Sequence, residues 1–173
     1  MSLATRRLVS LFSILPQVNG HNHLDVASLY NNMGAVYQNQ GKYEEALEMY
    51  TKSLDIKIKL VGHDHPNVAK SYLGIGNVLQ LQGKYEEALQ KYHNCLDIQT
   101  RVYGQDHPVV ADSRYNIANL HEKQGNLEKA KELFLECEQI YAKVYGADHD
   151  ETLDAARRAQ TVGDEDSDED GDE

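Results

Sequence analysis

The sequence predicts an all-α protein, a right-handed superhelical solenoid of antiparallel helix pairs. Two observations predict it: a self-similarity at a fixed offset of 42 residues, and apolar residues at helical spacing on both sides of each recurring glycine. A fixed period of this length marks stacked supersecondary units, each of which hides its apolar face only against its neighbours.

The repeat is explicit. Gly41-Lys42-Tyr43-Glu44-Glu45-Ala46-Leu47 returns as Gly83-Lys84-Tyr85-Glu86-Glu87-Ala88-Leu89 and, degraded, as Gly125-Asn126-Leu127-Glu128-Lys129-Ala130-Lys131. Gly62-His63-Asp64-His65-Pro66 returns as Gly104-Gln105-Asp106-His107-Pro108 and as Gly146-Ala147-Asp148-His149-Asp150. Tyr30, Met33, Gly34 and Tyr37 stand at i, i+3, i+4 and i+7, one face of a first helix. After Gly41, the residues Tyr43, Ala46, Leu47, Tyr50, Ser53, Leu54, Ile58 and Val61 line a second. Gly62 stops it, and Pro66 suits the first turn of the next. The second unit repeats this with Tyr72, Ile75, Gly76 and Leu79, then Tyr85, Ala88, Leu89, Tyr92, Cys95 and Leu96.

The expected organisation is three units over residues 24–65, 66–107 and 108–149, then a capping helix over 150–162. A solenoid needs such a polar-faced terminal element. The register also runs backwards, since Asn19-Gly20-His21-Asn22-His23 lies 42 residues before Val61-Gly62-His63-Asp64-His65. Residues 1–23 therefore read as a degenerate second helix of a preceding unit, or as an N-terminal extension. Met1 to Gln17, with two arginines and no acid, also has the composition of a targeting segment.

These positions carry a family resemblance. An aromatic, a Leu-Gly pair and a Tyr on the first helix, then Ala and an aromatic on the second, resemble the tetratricopeptide (TPR) pattern. The first unit shows Tyr30, Met33-Gly34, Tyr37, Ala46 and Tyr50. The second shows Tyr72, Ile75-Gly76, Leu79, Ala88 and Tyr92, and the third Arg114, Ile117-Ala118, His121, Ala130 and Phe134. Gly34, Gly76 and Ala118 are expected to let the two helices of a unit approach closely. Ala46, Ala88 and Ala130 are expected to do so between units. The 42-residue period, against the usual 34, is similar to the repeats of kinesin light chains.

Charge narrows the function. The net charge of -11 is concentrated at one end, because residues 163–173 hold eight acids and no base. The remaining 20 acids and 17 bases nearly balance. Neither part has the basic footprint of nucleic-acid binding. The tail, unable to bury enough apolar surface, is expected to be disordered. No apolar run reaches membrane-spanning length, so a cytoplasmic protein is expected.

Several motifs that suggest chemistry read more simply as parts of the repeat. His21/His23 and His63/His65 recur because the loop recurs, and Gln105 breaks the pair in the second copy. No metal and no other cofactor is expected. Cys95 and Cys137 occupy the register of Ser53, where a small buried side chain packs, so both are expected to be reduced thiols. Gly74-Ile75-Gly76 follows no strand and is no nucleotide loop. No nucleophile elbow, phosphate loop or zinc-protease helix is visible, and no enzyme is expected.

The resemblance implies a binding module that receives an extended peptide or partner protein on a concave face lined by the first helices. The outward positions there include Asn31, Asn32 and Asn39 in the first unit. The second offers Lys70, Leu73, Gly74 and Asn77; the third offers Tyr115, Asn116 and Asn119. Amides donate to and accept from a peptide backbone without demanding a sequence. Asn31-Asn32-Met33-Gly34 matches the Asn-Asn-Leu-Ala stretch typical of kinesin light chains, Tyr115-Asn116-Ile117-Ala118 matches it in part, and Leu73-Gly74-Ile75-Gly76 departs from it. This implies cargo or adaptor binding, although the heptad coiled coil that joins those chains to a motor is absent from this sequence. TPR proteins that bind chaperone tails clamp two carboxylates with Lys, Asn, Asn, Lys and Arg. Asn31, Ala35, Gly74, Asp112 and Asn116 stand there instead, so no chaperone-tail binding is expected. The alternatives are a regulatory TPR fragment of a larger multidomain protein and a small helical enzyme or metal protein.

Overall fold

The computed structural model describes residues 23–162. The expectations for the preceding helix and for the acidic tail lie outside the described residues. These residues form α1 (Leu24–Asn39), α2 (Tyr43–Val61), α3 (Pro66–Leu81), α4 (Tyr85–Tyr103), α5 (Pro108–Lys123), α6 (Leu127–Tyr145) and α7 (Asp150–Thr161), with no strand among them. They fall into two compact units, one ending at Ile98 and the other beginning at Gln99, both within α4.

Two kinds of turn join the helices, and each recurs. Between α1 and α2, Gly41 takes φ 71°, a region that costs a side chain but not glycine. Its N–H donates to Gln38 O at 3.0 Å, and Lys42 N–H donates to Tyr37 O at 2.9 Å. This pair of bonds is a Schellman closure, which satisfies carbonyls orphaned at the helix end. The same pair of bonds recurs at Gly83 and Lys84, and at Gly125 and Asn126.

In the other turn, Gly62 ends α2 at φ 81° and His65 caps α3. His65 Nδ1 accepts from Asn67 N–H at 3.1 Å, with Pro66 in the first turn. His23 and His107 cap α1 and α5 in the same way, from Asp25 and Val109 N–H at 3.2 Å. The histidines kept by the repeat are thus helix caps, with Nδ1 in the place of the usual Ser or Asp oxygen. His149 departs from this: it pairs with Glu151 at 2.5 Å and makes no side-chain cap bond. Tyr103 stacks on His107 at 4.8 Å and Tyr145 on His149 at 4.7 Å, which steadies both turns.

Packing follows the register. Ala46, Ala88 and Ala130 are fully buried, as are Tyr92 and Phe134. In the first unit Tyr50 lies between two glycines. A Cβ on Gly34 would stand 2.9 Å from its ring, and one on Gly74 only 2.4 Å. A Cβ on Gly76 would meet the Tyr92 ring at 2.6 Å. The small residues of the first helices therefore make room for the aromatic ring of a second helix. Gly74, expected on the open face, is instead buried beneath Tyr50.

Ser53 Oγ donates to Ala27 O at 2.6 Å, and Cys137 Sγ makes the matching bond to Ala111 O at 3.2 Å. Cys95 and Cys137 are both buried and form no disulfide. Burial pushes the Cys137 thiol up to about 12. In the second compact unit α7 closes the core over Ala111, Cys137, Ile140, Tyr141 and Ala155. Arg158 fastens it: the guanidinium pairs with Glu122, reaches Asn119 and lies 5.2 Å from the centre of the Phe134 ring. Phe134 has no hydroxyl for Glu122, whereas Tyr50 and Tyr92 donate to Gln38 and Gln80 at the equivalent positions. No helix among the described residues is long and apolar enough to cross a membrane.

Candidate functional site

In the first unit α1 and α3 carry the candidate face. Asn32, Asn39 and Lys70 are exposed there. Asn31 and Asn77 are half-buried and occupied. Asn31 Oδ1 accepts from Lys57 Nζ and from Ser71 Oγ, each at 3.3 Å. Asn77 Oδ1 shares the single proton of the Tyr92 hydroxyl with Gln80 Oε1, at 2.7 and 2.8 Å.

Lys57 is the residue that pattern reading misses. It is only 3% exposed, yet its bonds are to Ser71 Oγ at 2.9 Å and to Asn31, with no carboxylate paired to it among the described residues. Ser71 in turn lies 3.2 Å from Ser53 Oγ, so the ammonium ends a small buried polar chain. Burial, with a smaller push from the Lys70 ammonium, lowers its pKa to about 8. The signal was the register: Lys57 stands four residues after Ser53 on the inner stripe of α2, where α4 has Gln99 and α6 has Tyr141.

A pH dependence follows. Below pH 8 the folded and unfolded chains both carry the ammonium, and the fold bears the full cost of burying it. Between about 8 and the ordinary lysine value of 10.5 the folded chain sheds its proton first, so stability rises with pH. Allowing for partial screening by water, the gain is on the order of 1–2 kcal/mol. Lys57→Gln installs the residue of the second unit, where Gln99 accepts from Ser113 Oγ at 2.6 Å. Urea unfolding of both proteins at pH 7 and 9.5 is expected to show the gain in the parent and its loss in the variant. Equal slopes would mean that the Lys57 ammonium is adequately solvated.

In the second compact unit the hydroxyl of Tyr115 donates to Asp154, and that of Tyr141 donates to Asp112 Oδ1 at 2.7 Å. Burial first, and the Asp154 bond second, hold Tyr115 up to about 12. Asn116 Nδ2 donates to Asp112 O at 3.0 Å within α5, which leaves its carbonyl oxygen open. Asn119 Oδ1 accepts from Arg158 at 3.0 Å. Of the candidates, then, Asn32, Asn39, Lys70 and the Asn116 carbonyl face outward, while Asn31, Asn77, Tyr115 and Asn119 also tie the scaffold together. No cluster of three or more His, Cys, Asp or Glu side chains suited to a metal occurs among the described residues.

Paired helices, Schellman turns and small residues beneath aromatic rings define a helical repeat protein of the TPR-like solenoid class. The tetratricopeptide repeat profile matches residues 25–91, 68–143 and 111–159, and the chain belongs to that family. Kinesin light chain-like TPR proteins are among its structural neighbours. The nearly identical TPR-like repeats of a candidate kinesin light chain from Podosopora anserina superpose with a TM-score of 0.77 at 22% identity, over 94% of this chain and 79% of that one. BtubC (BKLC) from P. vanneervenii gives 0.76 at 17% identity, over 92% and 73%. The N-terminal domain of stress-induced protein-1 from C. elegans gives 0.59 at 15% identity, over 79% and 96%. At these identities the likeness concerns the fold. A search of the curated proteins found no match.

Proposed function

We propose that this chain is a protein-interaction scaffold that receives an extended peptide, or an extended segment of a partner protein, on the faces of its first helices. TPR repeats generally bind proteins or peptides, and the fold is typically a non-enzymatic binding module. The observation that carries the finer reading is an amide at one register position of the first and third repeats, Asn32 on α1, exposed, and Asn116 on α5, half-buried; the second repeat has Gly74 there. Nothing in helix packing requires asparagine there, and alanine would make the better helix. Such amides suit a backbone held without strong sequence demands. Cargo or adaptor binding of the kinesin light chain kind belongs to this proposal. So does a cytoplasmic location, which two buried thiols suit better than an oxidising compartment. The missing clamp cations argue against chaperone tails as the ligand.

The test is a random peptide library displayed on phage and selected on the full chain. Asn32→Ala with Asn116→Ala is expected to leave the melting midpoint within a few degrees and to weaken the selected peptides by about tenfold, equivalent to one or two lost hydrogen bonds. Undiminished binding by the double variant would move the site away from these faces.

A further inference from the structure

A buried positive charge without a counter-charge lies beneath the face of α1 and α3. Lys57 is 3% exposed. Two of its three ammonium hydrogens go to Ser71 Oγ and Asn31 Oδ1. Among the described residues the third has no partner, and no carboxylate is paired with the group. An ammonium buried with no anion to answer it destabilises the fold, and an anion supplied from outside relieves that.

A second cation stands beside the first. Lys70 is exposed on α3, next in the chain to Ser71, and its charge is felt at Lys57. No carboxylate among the described residues is paired with Lys70 either. Asn31, half-buried on α1, completes the edge. The same register elsewhere is neutral or already answered. On α4 Gln99 accepts from Ser113 Oγ, and on α6 Tyr141 donates to Asp112. The uncompensated pair of ammonium groups is confined to the first compact unit.

The geometry points to a carboxylate site between α1 and α3, formed by Lys57 and Lys70, whose occupant is the acidic tail, residues 163–173, of a second copy of this chain. A carboxylate entering there takes the open Lys57 hydrogen and pairs with Lys70, and both contacts are charge-assisted. The tail fits by charge, since it holds eight acids and no base while the rest of the chain nearly balances. Its acids follow one another closely, so any of several can be the one that enters. The site belongs to the first compact unit and the tail follows the last helix of the second. Two copies therefore meet through unlike surfaces, and each pair keeps one free site and one free tail. The contact is regulatory, because a partner peptide on this face has to displace the tail. The inference shares the face of the peptide-binding reading above but does not use its amides, Asn32 and Asn116.

The experiment mixes two full chains. One is labelled with ¹⁵N and carries Lys57→Gln with Lys70→Gln, so it has a tail and no site. The other is the unlabelled parent. Adding the parent is expected to shift the amides of residues 163–173 saturably, with a Kd on the order of 0.1–1 mM. About 0.5 M sodium chloride is expected to abolish the shift. The unlabelled double variant is expected to give none. Unlabelled Lys129→Gln with Lys131→Gln, the same loss of charge at two exposed positions of α6, is expected to act like the parent. Lys70→Gln alone, at an exposed position where folding is not in question, is expected to weaken the contact at least about threefold. No shift with the parent, an equal shift with the double variant, or an equal loss with the α6 pair would each overturn the proposal. Tail signals that differ between labelled parent and labelled double variant at every dilution, with no shift in the mixture, would put the tail on its own chain and overturn the second-copy assignment. The two readings fail separately. Library peptides that bind through Asn32 and Asn116 while the tail stays unshifted would sink only this inference. A saturable tail shift with no library peptide retained would sink the broader reading instead.

Discussion

Ala88→Trp is expected to lower stability by about 3 kcal/mol or more, or roughly 6–12 °C in melting midpoint for a chain of this size. Ala88 is fully buried on α4, and its register partners Ala46 and Ala130 are equally closed to solvent. A methyl group is the largest side chain these three positions hold. An indole there must push a helix aside or leave its neighbours off their rotamers, and a close-packed interior resists both. Circular dichroism during thermal and urea unfolding gives the measurement. A midpoint unchanged by the indole would show that α4 has room at this position and that the repeated alanine is not a packing constraint.

Gly74→Ala is expected to cost about 1–3 kcal/mol although it adds a single carbon. In an exposed helix the same change would stabilise, because alanine is the better helix former. Here the new Cβ would stand 2.4 Å from Cε1 of the Tyr50 ring. The ring cannot swing away freely, since Gly34 also stands close against it and its hydroxyl donates to Gln38 at 3.2 Å. Tyr50→Leu alone is expected to be destabilising as well. Combined with Gly74→Ala it should cost less than the two single changes added, since the clash disappears with the ring. Strict additivity in that cycle would mean that the two residues do not press on each other.

Much of the fold was legible because its determinants are periodic. Among the described residues the 42-residue offset aligned the recurring turns, and the i, i+3, i+4 spacing gave the paired helices, because a helix buries one stripe and a repeat buries the same stripe each time. The histidines were harder. Their recurrence was visible, but nothing in a His-x-His spacing says that an imidazole Nδ1 will accept from an N–H two residues later. The Gly62 to Pro66 segment supplied the clue, since the residue before a first-turn proline is the cap. Gly74 was misplaced because periodicity locates a face of its own helix and cannot see a ring arriving from another. Lys57 escapes the pattern for a related reason: a lysine is ordinarily exposed, and only its position in the register places it on the inner stripe. The candidate amides divided for reasons that pattern cannot supply, as the partners of Asn77 and Asn119 lie 15 and 39 residues away in the chain.

The two thiols give this protein an internal clock. The chain has two cysteines, and one falls in each compact unit, Cys95 in the first and Cys137 in the second. Each is sealed from solvent in the folded protein, and a protonated thiol is a poor nucleophile. A thiol reagent can therefore reach either one only during the moments when its own part of the chain opens. The rate of labelling at each sulfur, resolved by mass spectrometry of the two peptides, then times the breathing of each unit separately. Native-state dynamics can be read residue by residue here without introducing any probe, because the chain already carries one in each half.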